Sequence, residues 1–232
     1  MSKVYNEIKR KILTFLVEAV EFFIFFGNKD KAIIPNENYP ELELLTQHFD
    51  TIKKEYISYQ NKQDTLQYFD ELSVSQQRIV ERKKWQAVIL RIYGRKVNKQ
   101  AEYFQQTHQL LEKIPSIKTA FFSVFNPGTK LIPHRGPYKG VLRYHLGIVI
   151  PKEYKKCAIN IDGTICHWQE GKAFIFDDTY THEAWNDSEE TRVILFIDIV
   201  RKLHFPFNKI NDFFLFIIQH SPLVREIYSK AK

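Results

Sequence analysis

Past Pro115 the chain changes character, and that change limits its fold more than any other feature of the sequence. Residues 119–125, 141–150, 157–161, 164–168, 172–176 and 191–200 are short apolar or alternating runs. Turn-forming groups part them: Asn126-Pro127-Gly128, Pro137, Asp162-Gly163, Gly171 and Asn186-Asp187. Short strands at such spacing predict a β-sandwich or barrel.

Residues 1–115 read mainly as helix and connecting loop. Leu42, Leu44, Leu45, Phe49 and Ile52 have helical spacing within 41–59, and further helices are expected over 74–82 and 103–114. Residues 85–93 (WQAVILRIY) are strand-like. Residues 12–26 (ILTFLVEAVEFFIFF) are too short for a comfortable membrane span and carry Glu18 and Glu21 three apart, which predicts an amphipathic helix on the core or on a membrane surface. The tail holds a second concentrated run, FFLFII at 213–218, which reads equally as an amphipathic anchor and as a helix closing the domain. At 232 residues the expectation is one domain in three regions: a helical region at 1–115, a β core at 116–201 and an amphipathic tail at 202–232.

Thirty-four Lys and Arg against 27 Asp and Glu give a net charge of +7, which favours acidic partners such as an anionic membrane. No nucleic-acid-binding signature accompanies the charge, so none is expected. Cys157 and Cys166 flank the Asp162-Gly163 turn on one strand face with Ile159 and Ile161, as reduced core residues.

Of eight histidines, His48, His108, His167, His204 and His220 read as ordinary surface or packing residues. His134 sits in the loop LIPHRGPYKG and His182 in FDDTYTHEAW just beyond a strand. Two imidazoles from opposite strands of a barrel can bind one Fe(II), but the acid expected two residues after the first is Gly136 here. Arg143 and His145 are two apart and share a strand face, as do Arg192, Ile194, Phe196 and Asp198. Inward cations need an anion. Arg192 therefore either binds a dianionic cosubstrate or pairs with Asp198 or another internal acid.

Residues 114–201 resemble the aspartyl/asparaginyl β-hydroxylase family in the strings FSVFNPGTKLIPHRGP, LRYHLGIVIPKE, WQEGKAFIFDD, THEAWND and R-x-I-L-F-I-D. A fainter likeness reaches back through NYPELELL and KKWQAVILRIYG. The resemblance implies a mainly β fold with flanking helices, built on a double-stranded β-helix of the jelly-roll or cupin-like kind. It implies an Fe(II)- and 2-oxoglutarate-dependent dioxygenase that consumes O2, releases succinate and carbon dioxide and hydroxylates a C–H bond. His134 and His182 match the iron-binding histidines, with Gly136 as in the peptide-hydroxylating members. Ser123 and Arg192 match the residues on the distal carboxylate of 2-oxoglutarate, and Arg143 and His145 those near its iron-chelating end. Asp177, Asp178 and Glu183 are expected to orient the loop bearing His182. The substrate implied first is the β-carbon of Asp or Asn in a peptide or protein.

PYKG-x-LRYHLG and the basic, aromatic tail also resemble the bacterial lipid A 2-hydroxylases, which usually keep an acid at the position of Gly136. That resemblance implies acyl-chain hydroxylation at a membrane surface as the alternative. The tetratricopeptide-like region of animal peptide hydroxylases has no counterpart in residues 1–115, which weighs against an EGF-like substrate. A halogenase or a metal-free binding module would be the remaining alternatives. The expected location is cytoplasmic with peripheral membrane contact.

Overall fold

Strand after strand of this chain is apolar on both faces, and the architecture uses both. The computed structural model describes residues 21, 31–62, 67–68 and 84–231. The helix expected at 74–82, and the 12–26 helix apart from Glu21, lie outside the described residues. Twelve strands are described: β1 (Ile33–Ile34), β2 (Gln67–Tyr68), β3 (Trp85–Ile92), β4 (Arg95–Lys96), β5 (Ile117–Phe125), β6 (Thr129–His134), β7 (Val141–Val149), β8 (Cys157–Ile161), β9 (Thr164–His167), β10 (Ala173–Phe176), β11 (His182–Asn186) and β12 (Arg192–Val200). The larger sheet runs β1-β10-β7-β12-β5-β3-β2, with β4 paired to β3, and the smaller runs β6-β11-β8-β9. Every strand pairing is antiparallel. From β5 onward the chain crosses between the sheets at nearly every step, with the β8–β9 hairpin as the exception. This is the double-stranded β-helix, of the jelly-roll or cupin-like kind.

Period-two alternation divides the apolar residues between two cores. On β5 and β12, Phe121, Phe125, Ile194 and Phe196 face the space between the sheets, with Ile159, Trp168 and Ala184 from the smaller sheet side. The alternate residues Phe122, Val124, Val193, Leu195 and Ile197 face outward and are covered by helices. Leu195 is wholly buried there, and burial of such a side chain is worth about 1.5–3 kcal/mol. The expected 41–59 helix is broken at His48 into Glu43–Gln47 and Phe49–Gln60. Ile52, Tyr56 and Tyr59 of the second piece are buried on the sheet, and the Tyr56 and Phe122 rings lie 4.9 Å apart. The helix expected at 103–114 is confined to Gln105–Glu112.

Two stretches expected as loops are strands, β6 and β11. Pro133 within β6 is tolerated because β6 is the outermost strand of its sheet, where a missing N–H breaks no ladder. In the β8–β9 hairpin Asp162 and Gly163 both take positive φ, 50° and 84°, as a two-residue turn requires, and Ile159 pairs with Cys166. Both cysteines are free thiols. Pairing of β3 with β5 brings residues before 115 into the same sheet as the core. The tail forms two helices, Phe207–Gln219 and Pro222–Ala231. The first buries Asn211, Phe214 and Leu215 while Phe213, Phe216 and Ile217 stay exposed, so the FFLFII run is partly core and partly surface. Among the described residues no helix is long and apolar enough to cross a membrane.

Candidate active site

Pairing of β11 with β6 places His182 directly opposite His134 at one end of the smaller sheet. Their ring centroids lie 4.2 Å apart. Each Nδ1 is fixed by a carbonyl two residues earlier: His134 on Ile132 at 2.8 Å and His182 on Tyr180 at 3.0 Å. A carbonyl only accepts, so each Nδ1 carries the proton and each Nε2 keeps its lone pair. Burial, with the nearby Arg143 charge, pushes the His182 pKa down to about 3, and burial lowers His134 as well. Both rings are thus neutral near pH 7, the form that binds a metal.

Among the described residues no third His, Cys, Asp or Glu joins this pair as a metal cluster. The position where an acid would stand shows why. A Cβ on Gly136 would overlap the carboxylate of Asp178. Asp178 cannot swing aside cheaply: it is 2% exposed and ion-paired to Arg143 at 2.6 Å. The Gly136 N–H also donates to the Asp178 carbonyl at 2.7 Å, closing the two loops together. Two neutral imidazoles on a site with no room for a third side chain fit a divalent ion that takes its other ligands from solvent or a cosubstrate.

The loop before His182 is tied down on both sides. Asp177 accepts from the Thr179 N–H at 3.0 Å and hydroxyl at 2.6 Å, and pairs with Lys139 and buried Arg201. Asp177 and Asp178 hold this loop as expected. Glu183 does not: its carboxylate accepts from the Asn160 side chain on neighbouring β8.

Deeper between the sheets lies Arg192, 1% exposed. Its guanidinium donates to the Ser123 carbonyl at 3.2 Å and hydroxyl at 3.3 Å, and lies 3.6 Å from the Phe125 ring centroid and 4.5 Å from that of Trp168. The Trp85 indole N–H holds the same Ser123 hydroxyl at 2.9 Å. No carboxylate of the described residues pairs with Arg192, and its Nε is buried without a partner. Burial lowers its pKa to about 10. Asp198, the alternative partner, instead pairs with Arg143 across the β7–β12 ladder at 3.4 Å. Arg143 therefore has two carboxylates and Arg192 none.

His145 stands between these two cations on β7. The Trp168 indole N–H lies 3.4 Å from its Nδ1 and can only donate, so the neutral ring carries its proton on Nε2. That Nε2 is buried with no partner, and burial together with Arg143 and Arg192 keeps the ring neutral. Two orphaned donors, Arg192 Nε–H and His145 Nε2–H, thus line one cavity of about 260 Å³ with His134 and His182. An anionic acceptor would satisfy both.

Much of the remaining wall is apolar, with Ile89, Ile92, Phe121, Ile159, Phe176 and Ile227, while Thr119, Arg135, Arg143 and Asp198 also line it. Tyr93 also lines the cavity, with φ at 43° in the Tyr93-Gly94 turn between β3 and β4. A bulky residue at positive φ is strained. Within the strand-like run at 85–93 nothing in composition or spacing marks Trp85 or Tyr93 as a site residue, although Tyr-Gly between two strands is a turn signal.

A family model described as Aspartyl/Asparaginyl beta-hydroxylase matches residues 46–202. An ornithine lipid ester-linked acyl 2-hydroxylase of Rhizobium tropici is 38% identical over 188 residues, covering 81% of this chain and 67% of the relative. The human aspartyl/asparaginyl beta-hydroxylase is 37% identical over 124 residues, covering 51% of this chain but 16% of the relative. Among solved structures, a viral collagen prolyl hydroxylase of Paramecium Bursaria Chlorella virus-1 with 2OG aligns at a TM-score of 0.35 and 11% identity, covering 52% of this chain and 82% of that one.

Proposed function

The chain belongs to the aspartyl/asparaginyl β-hydroxylase family, and on that premise we propose that it is an Fe(II)- and 2-oxoglutarate-dependent hydroxylase acting on the acyl chain of a lipid. The observation that carries this is one cavity with two neutral imidazole acceptors and, among its other lining groups, a buried guanidinium with no acid. His134 and His182 would hold the metal, fixed in tautomer by the Ile132 and Tyr180 carbonyls. Arg192, with Ser123 beside it, would take one carboxylate of the cosubstrate, and His145 Nε2–H would donate to the other. Arg143 is already matched by Asp178 and Asp198, so its part is to hold Asp178 against Gly136. The bound iron and 2-oxoglutarate would supply the oxidising chemistry that converts C–H to C–OH. The protein would bind, orient and keep water from the reacting carbon.

The apolar walls favour an acyl chain over the β-carbon of Asp or Asn, and the Rhizobium relative, by its name, hydroxylates one. The peptide reading keeps one observation in its favour, the exposed Arg135 on the cavity lining, which could meet a substrate carboxylate. Succinate formation with lipid and peptide pools, each supplied with Fe(II) and 2-oxoglutarate, separates the two. Lipid-stimulated turnover, lost in His134→Ala and His182→Ala, is the expected result. Stimulation by peptides alone would reverse the substrate, and chloride incorporated into product would make the reaction halogenation. Full turnover in either histidine variant would refute the metal site.

A further inference from the structure

We propose that the outer face of the Phe207–Gln219 helix, with Phe205 before it, is a docking surface for an anionic lipid bilayer and sets the cavity mouth against the lipid. Scattered apolar residues are ordinary on a protein surface, but a cluster of them is not. Seven large hydrophobic side chains are exposed among the described residues, and five stand in this one segment: Phe205 at 79%, Phe213 at 65%, Phe216 at 58%, and Ile210 and Ile217 at 37%. Ile210, Phe213 and Ile217 are spaced three and four apart, so they form a stripe, with Phe216 beside it. Asn211, Phe214 and Leu215 turn the other way, into the protein.

Charge complementarity selects the occupant. Within residues 202–230 Lys202, Lys209, Arg225 and Lys230 are exposed, against Asp212 and Glu226, on a chain whose net charge is +7. Lys202 and Lys230 already pair with Glu41 and Glu226, which leaves Lys209 and Arg225 for lipid headgroups. A helix of 13 residues is too short to span a bilayer, and one with an apolar stripe edged by cations lies in its interface.

The helix is hooked to the cavity rim. The Tyr138 hydroxyl donates to Asn211 Oδ1 at 2.6 Å, the Asn211 amide donates to the Gly140 carbonyl at 2.9 Å, and the Tyr138 and Phe214 rings stack with centroids 5.5 Å apart. Tyr138 adjoins Pro137, which lines the cavity with Gly136, and Ile218 packs in the cluster that holds Tyr93. Glu21, near the middle of the apolar 12–26 stretch, accepts from the Lys139 N–H at 3.0 Å on the same rim. A lipid tail leaving a bilayer docked on this helix would thus start beside the cavity rim. That purpose rests on the acyl-chain reading above, whereas the docking itself does not.

Flotation of metal-free protein with vesicles tests it. The wild type should float with vesicles of equal phosphatidylglycerol and phosphatidylcholine, less so at high salt and less on phosphatidylcholine alone. Phe213→Ser with Phe216→Ser should cut that partition at least about tenfold without moving the melting temperature, because both rings are exposed. Lys209→Glu with Arg225→Glu should cut it on anionic vesicles alone. Wild type that stays unbound, or a serine pair that floats as well as wild type, overturns the proposal. So does an unbound wild type that is a dimer and becomes monomeric in the serine pair, since a second copy then covers the stripe. If the wild type floats but no acyl lipid stimulates succinate formation, the docking stands and the acyl-chain reading falls. Lipid-stimulated turnover in detergent with no vesicle binding is the reverse case.

Discussion

Removing the Arg192 charge should weaken cosubstrate binding while leaving the empty protein no less stable. Deleting one member of a buried ion pair ordinarily costs about 3–5 kcal/mol, because the other member is stranded. Arg192 has no carboxylate partner: its contacts are Ser123, the Cys157 thiol and the faces of Phe125 and Trp168. Burial lowers its pKa to about 10, so the charge itself is unfavourable by on the order of 3 kcal/mol. Arg192→Met keeps much of the apolar stem between the two rings and discards the charge. Without ligand its melting temperature should equal or exceed that of wild type. With a redox-inert divalent metal and 2-oxoglutarate at a hundred times its Kd, wild type should gain about 2.7 kcal/mol, or roughly 5–10 °C in Tm. Arg192→Met should keep only about 0.4–1.4 kcal/mol of that gain at the same concentration, since a charge-assisted contact of about 1.5–3 kcal/mol corresponds to a ten- to hundredfold loss of affinity. Arg192→Lys should recover only part, because an ammonium lacks the planar fork. Thermal melts of the three proteins, with and without 2-oxoglutarate, decide the matter. A ligand-free Arg192→Met that melts well below wild type, or one that keeps the full ligand shift, would refute the reasoning.

Gly136→Ala should destabilise the fold by roughly 3 kcal/mol, because the new methyl must displace Asp178 from Arg143; urea midpoints will show it, and a neutral result would mean that Asp178 is free to move. Tyr93→Asn relieves a strained φ of 43°, worth about 1 kcal/mol, but strips packing worth about 1.5–3 kcal/mol from the two clusters that hold the ring. Urea midpoints should therefore fall, and substrate-stimulated turnover with them as the cavity loses its phenol wall; a variant more stable than wild type would show the strain to be the larger effect. His108 has neither ring nitrogen bonded, and burial, with Lys96 and Arg91 nearby, holds its pKa down to about 4 from 6.5. The unfolded chain therefore binds a proton that the folded protein refuses between those values, so this group's share of stability is lost as pH falls from 6.5 to 4. His108→Leu should abolish that share, narrowing the stability difference between pH 7 and pH 5 by about 2 kcal/mol in denaturant titrations; an unchanged acid limb would show that His108 is not responsible.

The fold was legible where local pattern and burial agree. Alternation gave β5, β7, β8, β10 and β12 to within a few residues, and Asp162-Gly163 marked its hairpin. β6 and β11 were hidden because proline, charge and small polar residues interrupt them, and their strand character comes from pairing with each other. The site was legible in its residues more than in its pairings. Strand parity put Arg192 and Asp198 on one face, yet Asp198 meets Arg143 because the two are partners across β7 and β12. A cross-strand register of that kind is set by tertiary structure, and no spacing along the chain reports it. The same is true of Gly136, whose emptiness is explained only by a carboxylate 42 positions further on.

That shared volume also constrains how such a site can change its ligand number. A side chain at 136 and the carboxylate of Asp178 occupy the same space, so the two positions are mutually exclusive rather than independent. A Gly136→Asp step taken alone collides, and an Asp178→Gly step taken alone leaves Arg143 with Asp198 as its remaining acid. Each single substitution thus disturbs the pairing of Arg143, whereas the double exchange keeps one acid in that volume. If His134 and His182 hold iron as proposed, the number of protein ligands there is an epistatic trait of two loops, and a designer seeking a three-ligand site should move the carboxylate rather than add one.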